Sequence, residues 1–178
     1  MSKQKEVILG GVGGQGLIVC GTLLGEAAVL FDGKHAALSS EYGVETRGTF
    51  SKSDVIVSDE EILYPESIHP NVVLCLAQEA YQRYAGKLAA ETLLIYDNTL
   101  VEALANQGNQ IGVPIASLAH ELGNPAAANI ISMGLVVRHT NIITPEAAEK
   151  ELRHYWGKRG EKVVSLNLKA FETGYAFS

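Results

Sequence analysis

The sequence predicts an α/β fold of three layers, α/β/α, with a mainly parallel sheet and a Rossmann-like first strand-to-helix turn. Two observations predict it. Apolar runs of strand length alternate along the chain with longer stretches whose apolar residues recur at helical spacing, the pattern of a parallel sheet covered on both faces. The first such pair is joined by "GVGGQG", four glycines in six residues, where a strand can turn sharply into a helix.

The elements follow in order. "EVILGG" (6–11) is a continuous apolar strand, and from Gln15 to Phe31 the residues Cys20, Leu23, Leu24, Ala27, Ala28 and Phe31 fall at helix spacing. "DGK" (32–34) breaks that helix, and "HAALSS" (35–40) reads as the second strand. A polar, glycine-punctuated segment from Glu41 to Thr49 precedes the strand "TFSKSDVIVS" (49–58). "DEEILYPESIHP" (59–70) is a connector closed by prolines. "NVVLCLA" (71–77) predicts a buried strand, "QEAYQRYAGKLAAE" (78–91) a helix, and "TLLIYDNT" (92–99) a strand with polar residues at its end. "IGVPIAS" (111–117) reads as a strand whose Pro114 suits an edge position. Helices are expected from near Asn124 with Pro125 at the first position, from Thr144 as N-cap with Pro145 and Glu146 following, and over "NLKAFETGYAF", where Leu168, Phe171 and Tyr175 share a face. No low-complexity linker or internal repeat divides the chain, so residues 1–178 are read as one domain.

Composition narrows the function. A net charge of −6 disfavours a nucleic-acid partner, which needs clustered Lys and Arg. No apolar run reaches the roughly 18–20 residues of a membrane span, and the polar start "MSKQKEVILGG" does not fit a signal peptide. Cys20 and Cys75, each in an apolar stretch and without C-x-x-C spacing, suit a reducing compartment, hence the cytoplasm. Five scattered histidines offer no metal-ligand spacing.

Two places carry candidate chemistry. Gly11, Gly13 and Gly16 match G-x-G-x-x-G, with Gly14 and Gln15 inside the turn. Such a turn lets backbone approach a ligand and leaves N–H groups free for an anion at the helix start. A bound dinucleotide, another anion, a carboxylate from a partner chain and a plain tight turn all remain open on these residues. A dinucleotide would need an acid beyond the second strand, a place taken by Glu41, 25 residues past Gly16. The second place is Glu41 to Gly48, where Glu41, Tyr42, Glu45, Thr46 and Arg47 lie between and beside Gly43 and Gly48. It reads either as a binding edge or as a solvated loop with a weak Glu–Arg pair. Asp97 and Asn98 are acceptors beside a cleft or ordinary turn formers, Arg138 and His139 suit a helix C-terminus, and Tyr155 and Trp156 suit packing.

Taken together, "GVGGQG" and "SSEYGVETRGTFSKSDVIVSD" resemble the gamma subunit of the 2-oxoacid:ferredoxin oxidoreductases. Members carry a G-x-G-G-Q-G turn, an E-x-G-x-E-x-R-G stretch, an S-x-V-x-x-S strand and an I-x-x-P connector. These fall here at Gly11–Gly16, Glu41–Gly48, Ser53–Ser58, and Ile62 with Pro65. The "GNPAAANIISMGLV" helix and the "NLKAFETGY" ending extend the resemblance over nearly the whole chain. The indolepyruvate oxidoreductase beta subunit shares the same domain, so the substrate within the class stays open.

The resemblance implies a role in an assembly that oxidatively decarboxylates a 2-oxoacid with coenzyme A, giving acyl-CoA and CO2 and reducing ferredoxin. Thiamine diphosphate, Mg2+ and iron–sulfur clusters do that chemistry. This sequence has no thiamine motif of the GDG type and only two cysteines, so both cofactors are expected on sister chains. The implied partners are thiamine-binding alpha and beta subunits, a ferredoxin-like delta subunit, and ferredoxin as acceptor. The isolated chain is expected to be inactive and able to self-associate. Gly11, Gly13, Gly14, Gln15 and Gly16 become a turn close to an anion or to CoA, and Glu41, Tyr42, Gly43, Glu45, Arg47 and Gly48 a partner interface. A stand-alone dinucleotide-binding oxidoreductase is the alternative.

Overall fold

The structure, a computed structural model, describes residues 4–43, 48–105 and 107–177. Among them, six strands form one sheet in the order β2-β3-β1-β4-β5-β6. These are β1 (Gln4–Val12), β2 (His35–Tyr42), β3 (Phe50–Ser58), β4 (Val72–Cys75), β5 (Leu93–Asp97) and β6 (Gln110–Val113). The helices are α1 (Leu17–Phe31), α2 (Gln78–Tyr84), α3 (Ile115–Glu121), α4 (Ala128–Thr140), α5 (Pro145–Trp156) and α6 (Glu161–Ala176). β4, β5 and β6 extend from β1 in parallel, while β3 pairs antiparallel with both β1 and β2. Five strands therefore point one way and β3 points back.

The period-2 alternation of strands sorts the core into two faces. Val7 and Leu9 of β1, Val72 and Leu74 of β4 and Ile95 of β5 join one cluster with α1 and α3–α6. The intervening Ile8, Val73, Cys75 and Leu94 join a smaller cluster with Ala80 and Tyr81 of α2. The two faces are covered unequally: five helices pack on the first, and the seven-residue α2 packs on the second. Close approach needs residues without side chains. A Cβ on Gly174 of α6 would land on the carbonyl oxygen of Ile131 in α4, so these two helices touch backbone to backbone.

Several boundaries differ from those the sequence predicts, among them the start of α6, which lies at Glu161 and not at Asn167. α1 starts at Leu17 because Gln15 is used elsewhere and Gly16 has φ 74. α2 ends at Tyr84, well short of Glu91, because Ala85 turns extended (ψ 128) and Gly86 takes φ 72. The stretch 111–117 is two elements, since β6 stops at Val113 and Pro114 precedes α3; β6 is an edge strand, the place expected for a nearby proline. The start of α5 is as expected: Thr144 Oγ1 accepts from Ala147 N at 3.1 Å. Asp32, at the end of α1, accepts from Thr144 N and Oγ1, both at 2.7 Å, and ties the two helices together. No helix among the described residues is long and apolar enough to cross a membrane.

Candidate functional site

At the carboxyl edge of β1 the chain must reverse into α1 within four residues, and the glycines make this possible. Gly14 (φ 98) and Gly16 (φ 74) lie in the left-handed region, which costs an L side chain roughly 1–2 kcal/mol. Around Gly14 there is open space, so its requirement is the dihedral alone. Gly16 is also crowded: a Cβ there would meet Asn129 Nδ2 at 2.6 Å, the atom that donates to Gly16 O at 3.2 Å.

Gln15 is the stitch that holds the turn. Its Oε1 accepts from Val12 N at 2.8 Å, and its Nε2 donates to Leu76 O just beyond β4, also at 2.8 Å. The amide side chain folds over Gly11, where a Cβ would collide with it. Gly13 N donates to Thr49 O at 3.0 Å, joining the turn to the start of β3. The turn is thus fixed to strands on both sides of β1.

It forms the wall between two cavities. The first, of about 420 Å³, lies between the turn, the first residues of α1, and Tyr42, Gly43 and Thr49–Ser51. Its described lining carries no charged side chain, and the N-terminus of α1 has neither a side-chain cap nor an acid in its first turn. The second, of about 370 Å³, lies between the turn and Leu76, Asp97, Leu100, Pro125 and Asn129. Asp97 is buried there, and each oxygen accepts a hydrogen bond: Oδ1 from Thr99 N (3.0 Å) and Oδ2 from Ala116 N (2.9 Å). Asp97 thus both forms the turn after β5 and borders the cavity.

Gly11, Gly13, Gly14, Gln15 and Gly16 therefore meet Tyr42 and Gly43 at one edge. Glu41 points elsewhere. It pairs in register with Lys52 of β3 and lies 3.9 Å from its ammonium on the α2 face of the sheet. Gly48 has φ 77 beside Thr49. Val44 to Arg47, including the candidates Glu45 and Arg47, lie outside the described residues. Asn129 was not singled out in the sequence; the signal for it was a lone amide in the apolar run "ANIISMGLVV".

This topology corrects the dinucleotide alternative. A ribose-binding acid comes from the strand next to β1, running parallel to it. Here the antiparallel β3 takes that place, and Glu41 sits two ladder spacings away, about 10 Å, facing a lysine.

The two cysteines are free and buried on opposite faces of the sheet, Cys20 in the large cluster and Cys75 in the small one. Burial raises both thiols, Cys20 to about 12. Opposite faces and protonated thiols do not fit a shared iron–sulfur cluster. Among the described residues no group of three or more His, Cys, Asp or Glu could hold a metal ion.

Residues 6–177 match the family model described as pyruvate ferredoxin/flavodoxin oxidoreductase. The chain belongs to this family. Among its relatives, the 2-oxoglutarate synthase subunit KorC of Methanocaldococcus jannaschii is 38% identical over 176 residues, covering 97% of this chain and 92% of KorC. The structure of a keto/oxoacid ferredoxin oxidoreductase gamma subunit from Geobacter sulfurreducens is 35% identical, with a TM-score of 0.83, over 97% of this chain and 94% of that one. A 2-oxoglutarate:ferredoxin oxidoreductase chain from Magnetococcus marinus, 23% identical, shares the fold with a TM-score of 0.88; the match covers 99% of this chain and 31% of that longer one. The fold of this family is therefore the fold seen here, whether it stands as a chain of its own or as a third of a larger one.

Proposed function

We propose that this chain is the gamma subunit of a 2-oxoacid:ferredoxin oxidoreductase, acting as one domain in a cytoplasmic, multi-subunit enzyme. The observation that carries this reading is the 38% identity to KorC along nearly the full length of both chains. The reaction is oxidative decarboxylation of a 2-oxoacid with CoA to acyl-CoA and CO2, with 2-oxoglutarate the substrate to test first. Alpha and beta subunits hold thiamine diphosphate and Mg2+, iron–sulfur clusters sit on sister chains including a ferredoxin-like delta subunit, and ferredoxin takes the electrons. Two thiols on opposite sheet faces support assigning the clusters elsewhere.

The chain's own contribution is a rigid rim. The stitched turn Gly11–Gly16 and the uncapped start of α1 border two cavities, a suitable surface for an anionic moiety of CoA or for a partner's carboxylate. Tyr42 and Gly43 of the same edge, with Glu41, Glu45, Arg47 and Gly48, form the contact with the thiamine-bearing chains.

The test is reconstitution. The co-expressed complex should reduce ferredoxin with 2-oxoglutarate and CoA faster than with pyruvate or 2-oxoisovalerate, and the chain alone should show no activity. Turnover by the isolated chain would overturn the proposal. Arg47→Ala should lower turnover or assembly and leave the melting temperature unchanged; wild-type turnover in that variant would remove the segment from the interface.

A further inference from the structure

The edge of the sheet opposite the glycine turn carries a second surface that the proposed role leaves unused. β3 ends at Ser58, in register with Gln4 at the start of β1, so the connector 59–70 runs along the amino edge. It is held firmly. The buried carboxylate of Glu6 accepts from Ile68 N and His69 N, both at 2.8 Å, from Ser67 Oγ at 3.0 Å, and from Gln4 Nε2 at 2.8 Å. Asp54 Oδ2 accepts from Ser67 N at 3.3 Å, and Ser58 Oγ accepts from Glu60 N at 3.0 Å. Fixing each of these backbone residues costs conformational entropy that the hydrogen bonds must offset.

What this anchoring displays is apolar. Leu63 is 90% exposed, Ile68 63% and Tyr64 54%, and the Tyr64 hydroxyl is steadied by Glu66 Oε2 at 3.1 Å. Around them stand Asp59, Glu60, Glu61 and Glu66, four carboxylates in twelve residues that contain neither Lys nor Arg. A flexible solvated linker would need neither a buried carboxylate to pin it nor large apolar groups held in water.

We propose that this connector is a docking surface for a sister subunit of the complex, one presenting an apolar socket for Leu63 and Ile68 inside a rim of Lys and Arg. The proposal rests on the gamma-subunit reading and extends it: the chain is gripped at both edges of its sheet. Apolar anchors set in a charged rim are the arrangement that gives an interface both affinity and steering.

The experiment uses the co-expressed complex, with this chain tagged for co-purification. Leu63→Ser/Ile68→Ser should reduce retention of sister subunits about tenfold or more, with no change in the melting of the full chain, because both side chains are exposed. Leu30→Ser, also exposed but on α1, should retain them. Asp59→Asn/Glu61→Gln should flatten the salt dependence of retention, since screening shortens from about 30 Å at 0.01 M to about 3 Å at 1 M. Wild-type retention by Leu63→Ser/Ile68→Ser, in a complex that otherwise forms, would overturn the docking surface and leave the subunit reading standing. Absence of any sister subunit on the wild-type chain would instead overturn that reading. Loss of self-association in the double variant, with the complex intact, would assign the surface to a second copy and also overturn the proposal.

Discussion

The two edges of this sheet are fixed by opposite means, although one strand reaches both. At the carboxyl end of β1 the turn is stitched by a neutral amide, Gln15, and shaped by left-handed glycines; the described lining of its first cavity has no charge. About 20 Å away at the amino end, a buried carboxylate, Glu6, gathers four hydrogen bonds and holds a connector rich in acids and exposed apolar groups. A neutral stitch adds no charge to its rim, where the α1 N-terminus has neither a side-chain cap nor an acid in its first turn. A charged anchor spends its negative potential on the loop it holds, and the exposed acids beyond it then set the sign of the surface. Rigidity alone therefore does not identify a binding edge; the charge left facing outward does.

The comparison presumes that the slab between the edges is stiff, and the largest effect should come from breaking it. Gly174→Val places a side chain on the Ile131 carbonyl, and the α4–α6 contact has no slack. We expect a loss of more than about 3 kcal/mol in urea unfolding of the full chain, with both edges losing amide protection together. The next effect is local. Gln15→Leu removes both 2.8 Å hydrogen bonds, at a cost of about 2 kcal/mol. Hydrogen exchange should speed at Val12 and stay unchanged at Ile68 and His69. Equal changes at the two edges would show that they are one unit and dissolve the distinction.

Much of this was legible in the sequence. β1 and the start of α5 follow from local signals, apolar runs and a Thr-Pro-Glu cap, and local signals survive folding. The glycine turn was found, and so was its neighbour Tyr42, because parallel strands bring their ends to one edge. What escaped depends on strand order. β3 stands between β1 and β2, and this alone moves Glu41 away from the turn; no local pattern encodes it. Glu6 escaped as well, because its partners are backbone groups and a hydroxyl 61 to 63 residues along the chain. The stops of α2 and β6 come from local breakers, the Ala85–Gly86 turn and Pro114, which lie inside stretches whose apolar periodicity runs on past them.

Acid separates the edges further. Burial raises the Glu6 carboxyl, but hydrogen bonds from His69, Gln4, Ser67 and Ile68 outweigh it and hold the group below its ordinary 4.5. With the folded value lowered, its stabilisation is present above 4.5 and is lost as pH falls through the folded value. Below about 4.5, exchange corrected for intrinsic rates should rise at Ile68 and His69 in the wild type, while Val12, held by an uncharged amide, shows no such step. Glu6→Gln should abolish the step and cost about 1–2 kcal/mol at neutral pH.

The last effect lies in neither edge but in the seam of α1 and α5. Glu151 is fully buried there; burial and the neighbouring Glu26 raise it to about 7, opposed in part by His154, whose Nδ1 is 3.4 Å from Glu151 Oε2. As carboxylates, neither Glu26 nor Glu151 could donate to the other, so a proton on the pair supplies the bond that two acceptors lack. A raised acid stabilises while protonated: the contribution is whole below 4.5 and is lost as pH rises through about 7. The melting temperature should therefore fall across that window, and Glu151→Gln should flatten the fall and melt no lower than the wild type once pH exceeds 7. Because this step lies on the neutral side and the Glu6 step on the acid side, one pH series reads the slab and the amino edge independently. A wild-type curve flat through neutrality would mean that the seam holds two carboxylates without a shared proton, and the pH steps seen at the connector could then be assigned to Glu6 alone.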